Sequence, residues 1–383
     1  MKTKICYIVT VPGTFNSFFI SQLNYLSERE FDVTVICSDI NKLSSDLSSN
    51  IKRICVPIPR GLNIWGMFKS VVQLYFIFKR EQFHFIQYST PNAALCAALA
   101  SYFIRTKIRN YHLMGFRYLG AHGTGRFILK QLEKLSCALS TTIECVSRSN
   151  MSLGVQEGIF PENKVTVIWN GSTGGVDLER FDYKMRERYR KEIRDKFGID
   201  EKAFVFGFAG RITRDKGVNE LLEAFQLIKD SILMMVGAEE NIISLDENLF
   251  SSAKNNPNIL WTGRVSNIER YFAAFDILLL PSYREGFGNV IIEAAAMGTP
   301  AIVSNIPGPI DAILENKTGF LVQKKNSNDL LRAMLKAKEC KQKFTPEIVA
   351  DYASHRFGQN ELNNQIYERK KALINRHLNK NHD

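Results

Sequence analysis

Long apolar runs are missing from this chain. No uninterrupted stretch of its 383 residues reaches the length of a membrane span, which argues against an integral membrane protein. A secretory leader is not expected either, because the apolar residues 5–11 are few and run into Pro12-Gly13, as a first strand meets a ligand loop. Paired cysteines are missing too: the seven are scattered, with no two-residue spacing matched by a partner pair. That pattern favours neither a zinc site nor a disulfide framework, and it fits reduced, mostly buried thiols in a cytosolic protein. No Gly-x-Gly-x-x-Gly follows the first strand-like run, which disfavours an NAD-dependent dehydrogenase. Low-complexity segments, short-period repeats and nucleic-acid recognition motifs are likewise missing.

What remains is ordinary globular material in an amount that suits two domains. Hydrophobic residues make up 45% and charged residues 23%, enough apolar mass for two cores. The net charge of +11 is unevenly placed. Residues 1–180 hold 20 Lys+Arg against 12 Asp+Glu, and the remainder holds 30 against 27. A basic first half favours an anionic partner, such as nucleic acid, anionic lipid or a phosphorylated acceptor, and it is also compatible with a solvated surface that binds nothing.

Along the chain, short β-branched runs alternate with helical periodicity. Strands are expected near residues 4–10, 33–37, 83–88, 109–113 and 141–146, with helices near 17–27 and 93–104. The second half repeats the plan, with strands expected near 204–209, 232–236, 259–261, 277–280, 301–303 and 319–322. Alternation of this kind gives parallel strands with crossover helices, an α/β doubly wound sheet, here twice over. The Gly/Ser/Thr-rich stretch 171–181 marks the boundary, giving a first domain of residues 1–174 and a second of 175–383. Residues 62–80 carry Ile64, Phe68, Val71, Tyr75 and Phe78 at helical spacing, with Trp65, Val72 and Phe76 widening the face and Lys69, Lys79 and Arg80 adding charge. A core-packing helix is the favoured reading and a helix lying on anionic lipid the other.

The most informative stretch is Ser282-Tyr-Arg-Glu-Gly-Phe-Gly-Asn-Val-Ile-Ile-Glu293, where a strand end turns into a helix. Gly286 and Gly288 let the backbone approach a ligand, and the helix that follows aims free N–H groups at it. Glu285 lies in the turn and Glu293 about two helical turns further on. Amides for an anion and carboxylates for hydroxyls suit a phosphorylated sugar. The residues alone define an anion-and-polyol site. Upstream, Arg211 and Lys216 follow a strand in a loop that opens a helix near Val218; a guanidinium and an ammonium so placed hold a diphosphate, or else are surface charges.

Three blocks in order carry a sharper likeness: Trp169-Asn-Gly-Ser172 with Gly175-Val-Asp-Leu-Glu-Arg-Phe181, then Ala209-Gly-Arg-Ile-Thr-Arg-Asp-Lys-Gly217, then Glu285 and Glu293 with seven residues between them. Together they resemble family 4 retaining glycosyltransferases, over nearly the whole chain. Tyr283-Arg-Glu-Gly-Phe-Gly288, Glu293-Ala-Ala-Ala-Met-Gly298 and the Gly-Ser and Gly-Val-Asp of the junction resemble, more finely, the bacterial surface-polysaccharide enzymes. The resemblance implies the GT-B fold, two Rossmann-like domains facing across a cleft, with the acceptor bound by the first and the nucleotide-sugar by the second. The last helix, about 356–383, is placed where it can pack back on the first domain. It implies that Arg211 and Lys216 neutralise the leaving diphosphate with Gly210 beside them. Arg214 and Asp215 are expected to be solvated. The resemblance also implies that Glu293 binds the ribose hydroxyls and Glu285 the donor sugar, with the amides of Gly286, Phe287, Gly288, Asn289 and Val290 near sugar and phosphates. Gly263 and Val265 sit where the family contacts the base.

Departures from the family pattern fall in the first half. Gly13 is the single glycine of its loop where many relatives carry two, so it is either a backbone approach to the phosphates or a plain Pro-Gly turn. Relatives often place a His-Gly pair after the strand that here ends in Tyr111-His-Leu-Met-Gly115, which puts Met114 in the histidine's place. His112, two residues earlier, is either an active-site histidine or a structural one. Arg117 is an acceptor-phosphate ligand or a surface residue, and His122 has the weaker case.

No Asp-x-Asp occurs, so a metal-bridged diphosphate is not expected, and no metal or cofactor is called for. The expectation is a metal-independent hexosyltransferase. It would move sugar from a UDP-linked hexose or N-acetylhexosamine to a polyprenyl-diphosphate-linked glycan in capsule, O-antigen or lipopolysaccharide synthesis. Such an enzyme works in the cytoplasm, with peripheral contact at the inner membrane face, and needs no nucleic acid. The alternatives are a nucleotide-sugar epimerase of related fold, which would isomerise its donor without an acceptor, and a non-enzymatic anion or nucleic-acid binder.

Overall fold

The computed structural model describes residues 2–340 and 343–379. The chain divides into two compact units, one built from residues up to Gly174 together with those from Gln359 onward, the other from Gly175–Gly358. Each unit is a parallel sheet wrapped by helices.

In the first unit the strands are β1 Thr3–Ile8, β2 Phe31–Cys37, β3 Lys52–Cys55, β4 Phe85–Tyr88, β5 Ile108–Leu113, β6 Thr142–Cys145 and β7 Val165–Val167. They lie in the order β3-β2-β1-β4-β5-β6-β7, and every pairing is parallel. Both faces of the sheet are covered, which is why β4 and β6 are buried along their whole length. The expected strands are present. β3 and β7, which were not expected, are the two edges: Lys-Arg-Ile-Cys is largely exposed and Val-Thr-Val is short and half-buried, so neither has the apolar run of a central strand. The helix expected near 17–27 is two pieces, Pro12–Phe18 and Ile20–Ser27, and Pro12 starts the first.

In the second unit the strands are β8 Phe204–Ala209, β9 Ser231–Val236, β10 Ile259–Gly263, β11 Ile277–Leu280, β12 Ala301–Ser304 and β13 Gly319–Val322. Their order is β10-β9-β8-β11-β12-β13, again all parallel. Phe206, Phe208, Phe225, Phe272 and Phe275 fill the core around β8.

Two reversals of winding matter for function. In the first unit the order turns back between β1 and β4, in the second between β8 and β11. Crossover helices leave to opposite faces at such a point, so the loops after the two strands part and open a crevice at their C-terminal ends.

Helix Ile64–Glu81 meets the core-packing reading on one side only. It buries Ser70, Leu74 and Phe78, but Ile64, Trp65, Phe68, Val72 and Phe76 are exposed. At the other end of the chain, Pro346–Phe357 belongs to the second unit and helix Gln359–Asn379 to the first, where Leu373 and Ile374 join the core beside β1 and β2.

Candidate functional site

The crevice of the second unit gathers most of the residues singled out from sequence. After β8 the backbone makes one short turn, Arg214–Lys216, before helix Val218–Phe225; after β11 it runs through 281–288 into helix Asn289–Ala296. Gly217 is the point where these loops touch. It holds φ +72°, and a Cβ there would lie 2.1 Å from the Pro281 carbonyl oxygen, so only glycine lets the two loops meet. The Tyr283 amide donates to the Asp215 carbonyl at 2.9 Å and closes the contact.

That contact sets the charges. Lys216 Nζ lies 2.6 Å from Glu285 Oε1, both side chains more than four-fifths buried, and Ser282 Oγ donates to the same oxygen at 2.8 Å. Lys216 and Glu285 come from opposite sides of the winding reversal, so their ion pair spans the mouth of the crevice. Asp215 is not solvated as expected. Thr213 donates to it at 2.6 Å and Arg284 lies 3.3 Å away. Burial raises its carboxyl, but the Thr213 hydroxyl and the Arg284, Arg211 and Lys216 charges outweigh that and hold it below the usual range. Arg214 is exposed, as expected. Arg211 is half-exposed, and its guanidinium is 3.4 Å from Glu240. A loose pair of that exposure contributes little and leaves the guanidinium ready to take another anion.

Glu293 lies on helix Asn289–Ala296 and is half-buried. Burial pushes its carboxyl up to about 7, with the Arg180 charge opposing. Arg180 is a residue that sequence reasoning passed over. Its guanidinium is fixed by Glu269 at 3.0 Å and the Ser266 carbonyl at 2.7 Å, which ties the segment after β10, where Val265 sits, to the charge near Glu293. Gly308 was missed as well. It follows β12 with φ +102°, and a Cβ on it would stand 2.7 Å from the Gly286 carbonyl, so it backs the loop that carries Glu285. Phe287 turns inward and packs on Phe357 at 5.5 Å, which anchors that loop while Gly286, Gly288, Asn289 and Val290 stay partly exposed. Gly263 is exposed and its carbonyl accepts from the Gly237 amide at 2.9 Å.

The first unit holds the other candidates. Gly13 lies in helix Pro12–Phe18 beside open space: a Cβ added there would meet nothing within 4 Å, and its φ is not positive. His112 is 5% exposed near the end of β5, its ring edge-on to Phe19 at 5.5 Å and its Nδ1 3.9 Å from Glu144 Oε2. Around Glu144 stand Asn110, donating at 2.9 Å, and Lys370 at 3.7 Å, which also donates to Gln87 at 2.7 Å. Burial raises the Glu144 carboxyl, but Lys370, His112 and Asn110 more than reverse this and hold it well below the usual range. His112 thus belongs to a buried polar network, and Met114, in the family histidine's place, is half-buried. Arg117 and His122 are exposed. Sequence reading missed Thr90. A β-branched residue at φ +68°, it accepts from the Thr10 amide at 3.1 Å across the winding reversal of this unit.

Among the described residues no group of three or more His, Cys, Asp or Glu is placed to hold a metal ion, and no helix is long and apolar enough to cross a membrane.

Two doubly wound units, one with basic side chains and a helix N-terminus at its winding reversal, are the architecture of the GT-B glycosyltransferases. Known proteins agree. Residues 17–180 match the family described as Glycosyltransferase Family 4, and residues 189–356 that of Glycosyl transferases group 1. The chain is 30% identical over 328 residues, 84% of each chain, to a capsular polysaccharide biosynthesis glycosyltransferase, CapM, of Staphylococcus aureus. It is 24% identical over 351 residues, 89% of each, to the UDP-Gal:alpha-D-GlcNAc-diphosphoundecaprenol alpha-1,3-galactosyltransferase of Escherichia coli. HepE of Anabaena, solved in complex with UDP, superposes with a TM-score of 0.77 at 19% identity over 97% of this chain and 100% of that one, which shows the fold. The chain belongs to this glycosyltransferase family and is a glycosyltransferase of the GT-B fold.

Proposed function

We propose that the protein is a retaining, metal-independent hexosyltransferase of surface-polysaccharide synthesis. Its donor is a UDP-linked hexose or N-acetylhexosamine, and its acceptor is a glycan on polyprenyl diphosphate, met at the cytoplasmic face of the membrane. The observation that carries the reading is the Lys216–Glu285 pair bridging the winding reversal of the second unit. It puts a cation for phosphate and a carboxylate for sugar hydroxyls within one hydrogen bond of each other, beside the N-terminus of helix Asn289–Ala296. The relatives supply the substrate classes: the E. coli protein's name gives a UDP-sugar and a diphosphoundecaprenol acceptor, and HepE was solved with UDP.

In this reading the diphosphate displaces Glu285 from Lys216 and lies between Lys216 and Arg211. Glu285 turns to the sugar hydroxyls and Glu293 accepts from the ribose. The acceptor hydroxyl oxygen forms its bond to the anomeric carbon on the face that the diphosphate leaves. The bond from that carbon to the phosphate oxygen breaks with its electron pair, and the acceptor proton passes to the departing oxygen. Arg211 and Lys216 stabilise the charge that develops there. In the first unit a Cβ on Gly13 would meet nothing within 4 Å, and Arg117 is exposed for an acceptor anion.

Thermal-shift titration against UDP, GDP, ADP, CMP and NAD, with and without EDTA, tests the donor class. A rise with UDP that EDTA leaves unchanged is expected. Stabilisation by NAD alone, or by no nucleotide, would sink the reading. Conversion of a UDP-sugar to its epimer with no acceptor present would move the assignment to an epimerase.

A further inference from the structure

Helix Ile64–Glu81 has two apolar sides where one suffices for packing. Its inner side, with Leu74 and Phe78, is buried in the core of the first unit. Its outer side carries Ile64 at 78% exposure, Trp65 at 77%, Phe68 at 59% and Phe76 at 63%, with Val72 also exposed. At about 100° per residue these five fall within an arc of about 120°, so they form one continuous stripe along about 18 Å of helix. The neighbouring helix Pro91–Phe103 also leaves two aromatic residues exposed at its end, Tyr102 and Phe103. The two helix ends are adjacent, because Phe78 and Lys79 line one cavity with Ile104 and Arg105. A stripe this long and aromatic is far from the scattered exposed leucine of an ordinary surface.

The charge around it has one sign. Residues 47–132 hold twelve Lys+Arg and a single acidic residue, Glu81. Glu81 is itself neutralised, at 2.7 Å from Lys52 and 3.0 Å from Arg80. Lys69 and Arg80 lie at the edge of the apolar arc, and Lys79, Arg105 and Lys107 stand exposed where the two helices end. Two such faces repel each other, so a second copy of this chain is a poor occupant. An anionic bilayer satisfies both features at once: its headgroups meet the lysines and arginines, and its upper acyl region takes the aromatic stripe. No described helix is able to span a membrane, so this one lies in the surface.

We propose that the outer face of helix Ile64–Glu81, with Tyr102 and Phe103, is the membrane-docking surface of the protein, inserting Ile64, Trp65, Phe68 and Phe76 into an anionic lipid bilayer. The inference deepens the lipid-linked-acceptor reading and rests on it for its purpose, because a transferase held at the bilayer surface meets an acceptor that cannot leave it. The physical claim is measured with no donor or acceptor present.

The experiment is co-sedimentation of the full chain with vesicles of phosphatidylcholine, alone or mixed with phosphatidylglycerol, together with tryptophan emission. Strong partitioning only onto the mixed vesicles is expected, weakened by salt, with a blue shift that disappears in Trp65→Phe. The double variant Trp65→Glu, Phe68→Glu is expected to keep the melting temperature and the UDP-induced shift while partitioning falls about tenfold or more. Indifference of the wild type to anionic vesicles, or equal partitioning of the double variant, overturns the proposal. So does a solution dimer that the same double variant dissolves, since the face would then belong to a second copy. A wild type that answers UDP but ignores anionic vesicles rejects the surface alone; a wild type that binds vesicles without a UDP response rejects the transferase reading instead.

Discussion

Glu293 pays for its position in protonation free energy. A carboxyl pushed from 4.5 to about 7 is harder to ionise in the folded chain than in the unfolded one. The cost is absent below the unfolded value, grows as pH rises between the two, and is complete above the folded one. Glu293→Gln is therefore expected to raise stability at pH 8 by on the order of 1–3 kcal/mol and to change little at pH 4, read by denaturant melts at both. Binding should show the opposite sign. In the proposed role Glu293 accepts from ribose hydroxyls in its ionised form, so UDP affinity of the wild type should rise from pH 6 to pH 8, and the Gln variant should lose that rise. A flat wild-type profile in titration calorimetry would remove Glu293 from the donor site. Lys216→Ala isolates the other half of the chemistry: kcat should fall about 10²–10³-fold with a smaller change in donor affinity. Unchanged turnover would exclude Lys216 from stabilising the leaving group. These residues were legible in the sequence because each stands in a short segment whose spacing is set by one strand, one turn and one helix. Arg180 was not legible as a site residue, because its relation to Glu293 crosses more than a hundred residues and exists only in the fold.

Elements decide how well those side chains are aimed. The loops after β8 and β11 meet at Gly217, and the loop after β12 supports them from behind through Gly308. Gly217→Ala puts a methyl group against the Pro281 carbonyl at a positive φ, and is expected to cost on the order of 2 kcal/mol or more while separating Lys216 from Glu285. Gly308→Ala presses on Gly286 and should weaken UDP binding, with a similar loss of melting temperature. Gly13→Ala is the contrasting case. With open space around it and an ordinary φ, it should leave stability within about 0.5 kcal/mol of wild type, so any fall in transfer rate reports a ligand against that backbone. A normal rate would make Pro12-Gly13 a turn and nothing more. The strand–helix alternation that builds these elements could be read from period and punctuation. Edge strands β3 and β7 could not, since an edge strand needs no buried face and leaves no apolar signature.

At the scale of the whole molecule, the chain leaves its first unit at Gly174, builds the second, and returns at Gln359 to finish the first. The returning helix brings Lys370, fully buried, to Glu144 and Gln87. Lys370→Met removes the cation and keeps the bulk, leaving Glu144 buried without its counter-charge. The expected loss is about 3–5 kcal/mol at neutral pH, and it should shrink in acid as Glu144 takes a proton. A melting temperature that falls equally at every pH would show that Lys370 acts by packing alone. Periodicity, turn residues and the ordered motifs determined the fold class, the two sheets and the residues that meet at the winding reversal of the second unit, because those are properties of contiguous segments. Tertiary structure alone decided that His112 sits in a buried network with a lysine from the far end of the chain. It alone decided that Asp215 is a structural anchor, and that helix Ile64–Glu81 turns its second apolar side outward. The physical reason is the same in each case: burial and pairing depend on which distant segment arrives at a surface, and a one-dimensional pattern of residues carries no record of that arrival.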